Sequence, residues 1–185
     1  MTIPHRFVTL VKKLQMKKLF LTLSLVMSSI IGFSQEITQL TAVVDEMSNK
    51  TYWVDPGIVY IDEANQSGFR VSGKWKYNSP EPIFEGFTAV IAGVGSCVEN
   101  VEVIVLFENG EKITKKSWNK FNCDGDAWYS FTKSELESLT TLPIEKIRFT
   151  NGRTYESVTG EVENPNYFIE MYQNSVNGVY ETVRQ

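Results

Sequence analysis

The chain has 185 residues, 42% of them hydrophobic and 22% charged, with 18 basic side chains, 22 acidic ones and a single histidine. Five of the basic residues and no acidic one precede residue 36, which leaves 13 basic against 22 acidic side chains, a net charge of −9. A field of that sign opposes nucleic-acid phosphates and anionic lipid surfaces and sets both aside as partners.

Residues 16–35 read MKKLFLTLSLVMSSIIGFSQ. Lys17 and Lys18 precede an apolar stretch from Leu19 to Ile31, and Gly32 and Ser34 suit the small positions before a signal-peptidase cut. We therefore expect a signal peptide over 1–34, with Met16 as an alternative start, and export to the periplasm or beyond. The apolar stretch is shorter than the roughly 20 residues that cross a bilayer, so no stable span is expected after cleavage. Residues 35–185 then suit one domain, with a subdivision near 78–86 as the alternative. The two cysteines, Cys97 and Cys123, are 26 residues apart. In an oxidising compartment a disulfide is expected, with two free thiols as the alternative.

Along the mature chain, Gln39–Val44 and Thr51–Val54 read as short strands separated by a turn at Asn49-Lys50. Asp55-Pro56-Gly57 interrupts, and Ile58–Ile61 follows. In Phe69–Trp75, apolar Phe69, Val71 and Trp75 alternate with Arg70, Ser72 and Lys74, the pattern of a half-buried strand. Thr88–Val94 is a further β-prone run. Val101–Phe107 and Lys112–Lys116 flank Asn109-Gly110, a hairpin signal that predicts a type I′ turn. The same pattern recurs at Asn151-Gly152 after Ile147–Thr150. Between them, Trp128–Phe131 precedes Thr132 and Glu135, spaced as a capping box for a short helix. Asn164-Pro165 reads as the start of a terminal helix with Phe168, Tyr172, Val176, Val179 and Val183 on one face, stopping near Tyr172 and fraying beyond it. The predicted fold class is α+β: a mostly antiparallel sheet with one short helix and a C-terminal helix packed on one face.

The only imidazole, His5, lies in the leader, so the mature domain lacks the means for Ser-His-Asp or Cys-His catalysis and for histidine-ligated metals. No glycine-rich phosphate loop and no GxSxG elbow is present. Asn122, Asp124 and Asp126 alternate around Gly125, an oxygen set that calcium accepts, but Lys133 occupies the place of the bidentate glutamate. An Asx-type turn explains the same residues, and no other cofactor is indicated. Asp55, Asp62, Glu63, Asp124 and Asp126 are the carboxylates from which a glycosidase pair would be drawn. Tyr52, Trp53 and Trp118 are the candidate binding aromatics, with Lys115, Lys116 and Lys120 around Trp118. Trp75 and Trp128 read as core residues.

The leader's ending Gly32-Phe33-Ser34-Gln35 resembles signal peptides of Bacteroidota, flavobacteria in particular. Asn122-Cys123-Asp124-Gly125, Ser134-Glu135-Leu136 and the 144–152 segment are similar to small exported proteins of that group. The resemblance spans roughly residues 95–173 and implies no activity and no site residues. Three functions stay open at this point. The first is an exported non-enzymatic binding domain for a protein or surface glycan. The others are a carboxylate-dependent hydrolase such as a glycosidase, and a structural or accessory domain without a small-molecule site.

Overall fold

A computed structural model describes residues 39–95 and 97–185. The expected signal peptide, its cleavage site and the Met16 start lie outside them.

Period-two alternation governs most of the described chain. In β4 (Ser67–Trp75), Phe69, Val71 and Trp75 are buried while Arg70 is exposed, as the sequence predicts. β4 pairs antiparallel with β3 (Ile58–Asp62) and β5 (Phe84–Ala92), and β5 pairs with the three-residue β8 (Asp126–Trp128). This gives a four-stranded sheet in the order β3-β4-β5-β8. The segment 76–83 is the connection between two paired strands of that sheet, closed by Lys76 N–H donating to the Ile83 carbonyl.

A second four-stranded sheet has the order β10-β9-β6-β7, from β6 (Glu102–Phe107), β7 (Lys112–Lys116), β9 (Ile144–Thr150) and β10 (Ser157–Glu161). All its pairings are antiparallel. Its inward residues Val103, Val105, Phe107, Ile147 and Phe149 are fully buried. The two sheets meet through side chains such as Phe69 and Phe149, whose ring centroids lie 5.0 Å apart. Each such buried apolar side chain contributes about 1.5–3 kcal/mol.

Two helices complete this core. In α1 (Lys133–Thr141) the capping box is formed: Glu135 N–H donates to Thr132 Oγ1, and Glu135 Oε2 accepts from Thr132 N–H. The helix buries Leu139. In α2 (Tyr167–Val176), Tyr167, Phe168 and Met171 are buried, and the Phe168 ring lies 5.9 Å from Phe87 and 5.8 Å from Phe84. The predicted α+β class, with a mostly antiparallel sheet, a short helix and a late helix against it, is the class observed.

The C-terminal segment departs from expectation in detail. The helix begins at Tyr167 rather than beside Pro165: the Asn164 side-chain oxygen accepts the Asn166 N–H, and the Asn164 backbone carbonyl accepts the Tyr167 N–H. Its buried face is set by Tyr167, Phe168 and Met171, not by Tyr172 and Val176, which are exposed. After Gly178, at φ +71°, residues Tyr180–Arg184 form β11 rather than a frayed tail. β11 runs parallel to β1 (Leu40–Asp45), whose other neighbour is the antiparallel β2 (Lys50–Val54). Val183 therefore pairs with Val43 in a sheet, which a helical reading of Val176, Val179 and Val183 missed.

Neither Asn-Gly pair makes a type I′ turn. At the β6–β7 hairpin only Gly110 has positive φ (+85°), and Phe107 pairs with both Gly110 and Glu111 in a longer turn. Asn109 Oδ1 accepts the Glu111 N–H instead of taking up a left-handed conformation. At the β9–β10 connection the positive φ falls at Tyr155. Asn151 is buried there, and its side-chain amide donates to the carbonyls of Val94 and Cys97.

Candidate functional site

The outer face of β3-β4-β5-β8 is set by register. One row across the strands runs Val59, Arg70, Val90, Asp126. A second runs Ser72, Thr88, Trp128, and a third Ile61, Gly68, Ala92. Alternation turns these residues away from the core, and Ile61 is 70% exposed. A shallow depression of about 490 Å³ opens on this face among Val59, Ile61, Gly68, Val90 and Ala92. The opposite outer face, on β10-β9-β6-β7, instead carries charged pairs such as Lys146 with Glu161.

At the β8 edge the chain between β7 and β8 displays aromatic rings on an extensively bonded support. Ser117 N–H donates to the Val101 carbonyl, and the Ser117 hydroxyl accepts the Val101 N–H. Trp118 N–H donates to the Trp128 carbonyl. The Asn119 side chain donates to the Asp126 carbonyl and accepts the Trp128 N–H. Asn122 likewise donates to the Asp126 carbonyl and accepts the Asp126 N–H, and its backbone bonds Val98 in both directions. The predicted disulfide is present between Cys97 and Cys123, next to the antiparallel bridge of Val98 with Asn122.

Trp118 and Trp128 emerge from that support 57% and 42% exposed, with centroids 5.1 Å apart and planes crossed at 61°. Phe121 is also exposed, and the Arg153 guanidinium lies 5.1 Å over its ring. The sequence reading placed Trp128 in the core. β8 has only three residues, and the one facing inward is Ala127, so its neighbours Asp126 and Trp128 both face out. The Thr88–Trp128 register across β5 and β8 is what the sequence could not supply.

Tyr52 and Trp53 lie elsewhere, on β2. Trp53 is partly buried, packs edge-on against Tyr180 at 5.0 Å and donates its indole N–H to the Ser79 carbonyl. Tyr52 makes an edge-to-face contact with Tyr77 at 5.2 Å, and the Lys50 ammonium sits over the Tyr77 ring. These two predicted binding aromatics are thus engaged with β11 and with the 76–83 connection, whereas Trp118 is 57% exposed. Lys115, grouped with Trp118 in sequence, is drawn to Glu135 at 2.8 Å.

Asn122 spends its side chain on the backbone of Asp126, four residues on, a wider span than the two residues of an Asx turn. Among the described residues no group of three His, Cys, Asp or Glu side chains is placed to hold a metal ion. Asp55 is buried beneath the sheet rather than in a cleft. Its carboxylate accepts from Tyr167 Oη at 2.5 Å, Gly57 N at 2.7 Å, Gly73 N at 2.9 Å and Trp75 Nε1 at 3.4 Å. Burial pushes its pKa above the ordinary range, against the pull of those donors. Asp62 caps its own turn through Asn65, whose hydrogen bonds hold its carboxyl below the ordinary range.

Among the described residues no helix is long and apolar enough to cross a membrane. No family model, curated protein or solved structure matches the chain.

Proposed function

We propose that this chain is an exported, non-enzymatic binding domain that attaches to a protein or surface glycan through Trp118 and Trp128. The observation that carries this reading is the pair of open indoles on a segment fixed by a disulfide and by side-chain bonds to the backbone. Large apolar rings left exposed on a rigid support suit recognition, because little conformational entropy is lost when a ligand covers them. The leader and the Cys97–Cys123 bond support a periplasmic or extracellular setting, where disulfides persist. The hydrolase alternative draws less support, since Asp55 is buried on four donors and Asp62 serves its own turn.

Retention of the purified chain on cell-envelope preparations tests the proposal. Wild type should sediment with envelopes, and the Trp118→Ala, Trp128→Ala double variant, checked for an unchanged circular dichroism spectrum, should stay in solution. Equal retention of the two would overturn it.

A further inference from the structure

We infer that Asn177, at the junction of α2 and β11, is a site of spontaneous modification. Its side-chain amide is lost to attack by the Gly178 nitrogen, and the isoaspartate left in the backbone loosens β11 from β1.

The step needs only water and hydroxide. Hydroxide takes the Gly178 amide proton, and the nitrogen forms a bond to Asn177 Cγ. The Cγ–Nδ2 bond then breaks, and the amide nitrogen takes a proton from water and leaves as ammonia. Water opens the resulting cyclic imide. Breaking the Gly178 nitrogen from Cγ gives aspartate, and breaking it from the main-chain carbonyl gives isoaspartate.

The chain has three Asn-Gly pairs, Asn109-Gly110, Asn151-Gly152 and Asn177-Gly178. Glycine has no side chain to shield its nitrogen, so the fold decides which pair reacts. Asn151 is closed to the reaction. It is fully buried, its amide donates to the Val94 and Cys97 carbonyls, and the Gly152 N–H is held by the Glu99 carbonyl at 2.9 Å. Asn109 is exposed but engaged: its Oδ1 accepts the Glu111 N–H, and the Gly110 N–H donates to Phe107. The adjoining Glu108 and Glu111 carboxylates also oppose the approach of hydroxide.

Asn177 has neither protection. Val176 to Val179 are all exposed, and the Asn177 side chain has no hydrogen-bond partner among the described residues. Nothing lies within 4 Å of the place that a Gly178 Cβ would take. The attack requires the Asn177–Gly178 peptide to rotate. Only Gly178 N–H to Ser175 at 3.1 Å and Val179 N–H to Asn174 at 2.8 Å resist that rotation, and both lie at a helix end, where opening is local.

The position gives the product its effect. Isoaspartate adds a carbon to the backbone just ahead of β11, whose register runs from Tyr180 opposite Leu40 to Arg184 opposite Val44. It also places a carboxylate at the negative end of α2, which has no basic residue in its last turn.

Ageing the folded full chain in mildly alkaline buffer made with oxygen-18 water tests this, with peptide mapping by mass spectrometry. The peptide holding Asn177 should exchange amide for labelled carboxyl at least about tenfold faster than the one holding Asn151, with Asn109 between them. In urea the Asn151 pair should approach the rate of Asn177. Equal folded rates, Asn109 leading, or an Asn177–Asn151 gap that persists in urea would overturn the assignment. Hydrogen exchange then reads the consequence: aged wild type should exchange the amides of residues 180–184 at least about tenfold faster than fresh protein. Aged Asn177→Gln should match its own fresh sample. Unchanged exchange in chains shown to carry isoaspartate would overturn the loosening of β11.

Discussion

The Tyr167 hydroxyl donates to Asp55 at 2.5 Å and accepts the Gly57 N–H at 2.7 Å, so one phenol from α2 joins a buried carboxylate to the loop before β3. The contact spans 112 residues of chain and fastens the late helix to the early sheet. Replacing Tyr167 with Phe should lower unfolding free energy by about 1–3 kcal/mol, since it deprives a buried charge of a donor. Asp55→Asn should cost about 3–5 kcal/mol, because an amide nitrogen would then face groups that are themselves donors. Urea unfolding followed by tryptophan fluorescence measures both, and a loss of a few tenths for Asp55→Asn would contradict the account.

The same carboxylate predicts a pH dependence of unusual sign. Burial raises its pKa in the folded state, so the folded protein binds the proton more readily than the unfolded chain. Its stability contribution is therefore full below the ordinary carboxylate range and is lost as pH rises through the folded-state value. Wild type should accordingly gain on Asp55→Asn as pH is lowered from 7 toward 4. Glu135 works in the opposite sense. Burial raises its pKa, but the Lys115 ammonium and the bonds from Thr132 outweigh that and hold it below the ordinary range. Its contribution fades as pH falls through that lowered value.

Tyr129 presents a buried hydroxyl with no hydrogen-bond partner among the described residues, packed near Phe87, Phe131 and Phe149. Burial drives its pKa upward and keeps the phenol neutral. Tyr129→Phe removes only that unsatisfied oxygen and should be neutral or stabilising by about 1 kcal/mol. A clear drop in melting temperature would show that the hydroxyl has a partner after all.

Removing the disulfide should separate stability from recognition. Cys97→Ser with Cys123→Ser should cost about 3–4 kcal/mol, the loop-closure value for a 26-residue separation. Because Asn119 and Asn122 still bond Asp126, envelope retention should weaken rather than vanish. Complete loss of retention with an intact fold would mean that the covalent tie alone sets the indoles.

The strands and the short helix were legible in sequence because their determinants are local. Alternation in Phe69–Trp75 and the Thr132–Glu135 capping box require nothing beyond neighbouring residues. The disulfide followed from composition and the expected compartment. Trp128 and β11 were not legible, since both depend on a partner far along the chain. Thr88 turns Trp128 outward, and β1 converts the Val179–Val183 stretch from an apparent helical stripe into a strand. The proposed binding face is likewise a product of register. No local signal places Ser72, Thr88 and Trp128 in one row, or Arg70 opposite Val90 and Val90 opposite Asp126.

The parallel pairing of β11 with β1 has a consequence for the order of assembly. The central strand of that sheet, β1, receives its second neighbour only once residues 180–184 are available. A chain emerging from its N-terminal side can form the β3-β4-β5 meander early, yet it must keep Leu40 and Ala42 waiting for the last strand. Such late closure means that part of the structure cannot set until residues 180–184 are in place, whatever has folded before them.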